Sequence, residues 1–73
     1  MKISFDPEVD AMYIKFVDEL FEVTTQRLSE DVAVNYAPDG RIVGIEILDA
    51  SSYVFRPGME GQIEVDNLTP VTA

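Results

Sequence analysis

The chain has no histidine and no cysteine, so any chemistry falls first to its carboxylates. The run DPEVD sets Asp6, Glu8 and Asp10 at alternate positions in a turn-forming stretch. An EF-hand loop takes calcium ligands from its first, third and fifth positions, which is this spacing. The rest of that motif is missing: its sixth position requires glycine and is Ala11, and its twelfth requires glutamate and is Val17. The primary expectation is therefore a solvated turn in which Asp6 accepts a hydrogen bond from its own backbone. Divalent-cation or small-ligand binding by Asp6, Glu8 and Asp10 is the alternative. A second pair, Glu46 and Asp49, lies near the end of an apolar run. Acid–base catalysis would need both to converge on a pocket beside other polar groups, and a small sheet offers little concavity. The expectation is that Glu46 pairs with Lys15 or Arg27, and that Asp49 ends its strand through an Asx-type turn with Ser51. No catalytic residue, no enzyme activity and no cofactor is expected.

Those residues must be positioned by strands. KISF, residues 2–5, alternates apolar and polar, as does AMYIKF at 11–16. Asp6-Pro7 opens a turn between them, because proline fixes its own φ and restricts its predecessor. FEVTTQRL (21–28) and VAVNY (32–36) are β-branched and alternating. In YAPDGRIVGIEILDAS (36–51), Pro38 and Asp39 suit a turn, and Gly40 supplies the positive φ that a following bulge needs. Residues 32–48 therefore form a hairpin. The expected fold is mainly β, or β with a short C-terminal helix: one antiparallel meander of about five strands over residues 1–52. Residues 50–55 make a helical turn or run on extended, and 53–73 are a partly ordered extension in which 62–66 are a candidate sixth strand.

Alternation collects Ile3, Phe5, Met12, Ile14, Phe16, Val23, Val32, Val34, Tyr36, Val43, Ile45 and Ile47 on one face. The last strand also places Ile42 and Leu48 on its opposite side, beside Gly44 and Glu46. A strand apolar on both sides needs cover on both. Gly44, costly inside a strand, marks a close approach by a ring such as Tyr13 or Tyr53, or by a second chain. Ile42, Gly44, Glu46, Leu48 and Tyr13 are accordingly the candidate interface.

Composition agrees with a binding role. A chain of 73 residues is one domain, and one so small buries only about 60% of the surface its unfolded form exposes. Without disulfides, and without the usual zinc ligands, a partner chain is the remaining support. A homodimer, a hetero-complex or both are expected. Fourteen acidic against five basic residues give a net charge of −9. That repels phosphate backbones, so no nucleic acid is expected as partner, and it would steer a basic protein toward the chain. No apolar run approaches the ~20 residues that span a bilayer, which points away from membranes and toward the cytoplasm.

Two blocks carry a family resemblance. MKISFDPEVDAMYIKF and DGRIVGIEILDAS, together spanning residues 1–51, resemble the signatures of the domain of unknown function 2283 family. The resemblance implies a small, cytoplasmic, β-rich bacterial or archaeal protein with no assigned activity. Some members resemble the smaller partner in two-gene modules beside RelE-like toxins, which implies an antitoxin-like role. It implies no catalytic residue, and the chain after Ser52 lies outside it.

Overall fold

A computed structural model describes residues 1–17, 22–54 and 63–69. Five strands form one sheet: β1 (Lys2–Asp6), β2 (Ala11–Lys15), β3 (Thr24–Arg27), β4 (Val32–Tyr36) and β5 (Ile42–Leu48), followed by a single helical turn, α1 (Ser51–Val54). Every pairing is antiparallel. The fold is mainly β, as the alternation implies.

The neighbour order is β1-β2-β5-β4-β3, so this is not a meander throughout. A β1–β2 hairpin lies beside a β3–β4–β5 meander, and β5 becomes the central strand. The chain leaves β2 at Lys15 and re-enters at Thr24 on the far edge. Crossing three strand spacings of about 4.8 Å needs roughly 14 Å, well within reach of eight residues at about 3.3 Å each. The length of that link permits both orders. The long apolar run of β5 favours the one that gives it neighbours on both edges.

The β4–β5 hairpin forms as expected. Ala37 N–H donates to the Arg41 carbonyl at 2.8 Å, and Gly40 N–H to the Ala37 carbonyl at 2.9 Å. Gly40 has φ of 90°, and the ladder slips between Asn35 and Tyr36, leaving a bulge near Ile42. An added Cβ at Gly40 would meet no atom within 4 Å. Gly40→Ala should therefore cost only the backbone strain, about 1 kcal/mol, read as a lower urea midpoint at unchanged slope.

Three expectations are corrected. The third strand is Thr24–Arg27, shorter than 21–28; Val23 lies outside it, and Phe21 lies outside the described residues. Residues 63–66 join no ladder, so the candidate sixth strand is not formed there, and Gln62 is outside the described residues. The β5 run is not apolar on both sides. The registers place Ile3, Phe5, Met12, Ile14, Val32, Val34, Tyr36, Val43, Ile45 and Ile47 on one face. The other face carries Lys2, Asp6, Tyr13, Lys15, Arg27, Asn35, Gly44, Glu46 and Leu48.

All five charged residues of the strands (Lys2, Asp6, Lys15, Arg27 and Glu46) thus share one face, and the opposite face carries none. The core is thin. Among the described residues the buried apolar side chains are Met12, Ala33, Val34, Ala37, Val43 and Ala50, three of them alanines. None of the larger side chains among the described residues is completely buried.

Candidate functional site

The charged face is organised around Tyr13. Its register partner on β5 is Glu46 and on β1 is Ser4, so Ser4, Tyr13 and Glu46 make one row across three strands. The Tyr13 ring leans over Gly44: a Cβ built there would stand 2.6 Å from Tyr13 Cζ and 2.9 Å from the Ile14 carbonyl oxygen. The close approach expected at Gly44 is therefore made by Tyr13. The ring continues to β4, where Asn35 Nδ2 donates to Tyr13 Oη at 3.1 Å. Thr25 Oγ1 on β3 donates in turn to Asn35 Oδ1 at 2.6 Å. Absence of a side chain at Gly44 lets one polar chain run from β2 to the β3 edge.

Glu46 does not pair with Lys15 or Arg27. Among the described residues the ion pair is Arg41–Asp39, at 2.7 Å, and the Glu46 carboxylate makes neither an ion pair nor a hydrogen bond. Arg27 instead donates from Nη1 to the Glu30 carbonyl at 3.0 Å. Glu46 is half-buried on the central strand. Beside it lies an open groove of about 270 Å³ lined by Ser4, Phe5, Asp6, Val9, Ala11, Met12, Tyr13 and Glu46.

The end of the sheet at the β1–β2 turn gathers three loops. Asp10, at φ 53°, accepts from Ser51 N–H at 3.0 Å and Ser51 Oγ at 2.6 Å, while its carbonyl accepts from Ala50 N–H at 2.9 Å. Asp31 carbonyl accepts from Leu48 N–H at 2.7 Å, and its carboxylate accepts from Tyr53 Oη at 2.9 Å. Asp49 ends β5 with φ 52°, but its carbonyl, not its side chain, takes the turn bonds, from Ser52 N–H at 3.1 Å and Ser52 Oγ at 2.8 Å. Ser51, expected beside Asp49, is held by Asp10. Asp49 is thus a strand terminator through backbone geometry.

Of the cation-ligand candidates, Asp6 accepts from Glu8 N–H at 3.0 Å, the self-bonded turn expected of it. Asp10 is committed to Ser51. Among the described residues no group of three or more Asp, Glu, His or Cys side chains converges. Of the interface candidates, Tyr13, Gly44 and Glu46 come together as described. Leu48 sits opposite Ala11, half-buried, and Ile42 is exposed at the bulge. The Asp10–Ser51 clamp had no signal in the sequence, because it joins residues 41 positions apart.

Among the described residues two groups have perturbed acidity. The hydrogen bond to the Asp31 carboxylate raises the Tyr53 phenol above its ordinary 10.0, with desolvation and the charges of Asp31 and Asp49 acting in the same direction. A raised folded-state value means the contribution to stability is fully present below pH 10 and fades as pH rises through the shifted value. In an ultraviolet titration Tyr53 should ionise later than a free phenol, and Asp31→Asn should bring it back toward 10.0. The backbone N–H of Arg41 acts most strongly in holding Asp39 below 3.8; desolvation opposes it, and the Arg41 guanidinium adds to the lowering. That contribution is present above the ordinary value and is lost as pH falls through the lowered one.

A family model described as a protein of unknown function (DUF2283) matches residues 2–51, more than half of the chain. The chain belongs to that family. The match ends at Ser51, so the DUF2283 region comprises all five strands together with the Asp10–Ser51 clamp. Searches of curated proteins and of solved structures return no match. Among the described residues no helix is long and apolar enough to cross a membrane.

Proposed function

We propose that this DUF2283 chain is a protein-binding module that shares the charge-free face of its sheet with another polypeptide. One observation carries the reading: every charged strand residue lies on one face, and the other carries none, its apolar rows giving way to Thr24 and Gln26 only on the β3 edge. On that face Phe5 is 38% exposed, and Phe16, just past the opposite end of β2, 41%. A domain this small with so thin a core is ordinarily helped by a partner chain.

The partner of first choice is a second copy, giving a face-to-face homodimer with sheets about 10 Å apart. The reading from sequence put the shared surface around Ile42, Gly44 and Leu48; the distribution of charge favours the opposite side. The net charge of −9 also suits a basic protein, and an antitoxin-like subunit that neutralises a basic, RelE-like toxin is one form of that role. No group of carboxylates in the described residues supports the divalent-cation alternative.

Phe16→Glu places a charge on the shared face at an exposed position, so the monomer should still fold. Chemical cross-linking should capture dimer from the native chain and at least tenfold less from the variant, since burying an unpaired charge costs several kcal/mol. Equal capture from both would remove the face from consideration.

A further inference from the structure

The structure points to a second feature of that binding role: we infer that the groove beside Tyr13 and Glu46 seats the guanidinium of an arginine side chain from a basic protein partner. This rests on the protein-binding reading and adds to it the chemistry of one contact.

Four observations converge on the groove. Glu46 lies mid-strand in the centre of the sheet, half-buried, its carboxylate with no hydrogen bond or ion pair among the described residues. The nearest cation across β4, Arg27, is spent on the Glu30 carbonyl. A carboxylate held partly out of water without a counter-charge is a site where an incoming cation recovers electrostatic energy at little extra desolvation. Tyr13 stands directly opposite on β2, and its ring is held over Gly44 by the Asn35 hydrogen bond. A fixed aromatic ring next to a carboxylate offers a guanidinium both a π-face and a two-oxygen acceptor, which an ammonium uses less well. Asp6 supplies a second carboxylate at the groove's outer end, with one oxygen already accepting from Glu8. Between them Val9 and Ala11 give apolar walls suited to the methylene stem.

Size selects the occupant. A volume of about 270 Å³, open to solvent, falls below the ~300–1,000 Å³ typical of cofactor and metabolite sites. It is adequate for one side chain presented from outside. Lys2 and Lys15 share this face but pair with each other one row away and do not line the groove. Asp6, Glu8, Asp10, Asp31 and Asp49, at this end of the sheet, supply the field that draws a basic surface in.

The test is a titration of the full chain with N-acetyl-arginine amide, followed by amide chemical shifts at low salt. N-acetyl-glutamine amide is the neutral control. Saturable shifts are expected at Ser4, Val9, Tyr13 and Glu46, and not with the control. Glu46→Gln should weaken binding roughly fivefold or more, while Asp39→Asn, at the other end of the sheet, should leave it unchanged. Far-ultraviolet circular dichroism checks that the Glu46→Gln chain is folded. Shifts spread evenly over all acidic loops, or a Glu46→Gln variant that binds as well as the native chain, overturn the assignment. Light scattering on the same samples separates the two ideas. A chain that assembles without groove shifts keeps the protein-binding reading and loses the arginine site. A monomer with localised, Glu46-dependent shifts keeps the arginine site and loses the homodimer.

Discussion

Gly44→Ala is expected to destabilise the fold by about 1–3 kcal/mol, the usual cost of forcing extra volume into a filled space. Propensity alone argues the reverse, since glycine within a strand is worse than alanine by roughly 0.5–1 kcal/mol. Geometry decides between them. The new methyl would stand 2.6 Å from Tyr13 Cζ and 2.9 Å from the Ile14 carbonyl oxygen. The ring can swing away only by giving up the hydrogen bond from Asn35. The carbonyl belongs to the β2–β5 ladder and has little room to yield. Urea unfolding should show a lower midpoint with the slope preserved. The same substitution in a Tyr13→Ala background should cost appreciably less, because the ring is no longer there to be displaced. Additive costs in the two backgrounds would mean that Tyr13 does not occupy the space above Gly44.

Asp10→Ala should have an effect at least as large, about 2–4 kcal/mol. Two contributions add: lost hydrogen bonds to a charged acceptor, and a left-handed backbone that alanine tolerates poorly. Asp10 takes both the N–H and the hydroxyl of Ser51, so its removal leaves the first turn of α1 without its clamp. Asn at this position tolerates positive φ and retains one acceptor oxygen, so Asp10→Asn should be distinctly milder. Thermal unfolding measures the global cost. Amide hydrogen exchange adds the location: Ala50 and Ser51 should lose protection before the centre of β5 does. Unchanged protection at Ser51 in Asp10→Ala would show that the clamp does not hold α1.

These two residues mark how far the sequence could be read. Local signals were sound: alternation found the strands, the Pro38–Gly40 turn fixed the hairpin, and the cost of a mid-strand glycine pointed to an aromatic ring above it. Features that depend on distant partners were hidden. Strand order turned on which partner β2 chose across an eight-residue link, and the link's length permits either. The partners of Asp10 and Glu46 depended on that choice. Asp49 looked like a side-chain turn former because aspartate often is one, yet its backbone does the work. The candidate strand at 62–66 alternates acceptably, but periodicity of four or five residues does not supply an edge to pair with. The segregation of charge to one face was within reach, since alternation alone sets Lys2, Lys15 and Glu46 opposite the apolar set. Ile42 and Leu48 obscured it by making β5 look apolar on both sides.

Family membership supplies no activity for this chain, so the account stands on the sheet itself. A sheet with a charge-free face and, among the described residues, alanines for half of its buried core should not remain alone in water. Light scattering coupled to gel filtration, over a wide concentration range, tests that claim directly. The account predicts a mass of twice 8.2 kDa for the native chain and of 8.2 kDa for Phe16→Glu. A native chain that stays at 8.2 kDa at every concentration, and gains no mass when mixed with a basic partner, would contradict it.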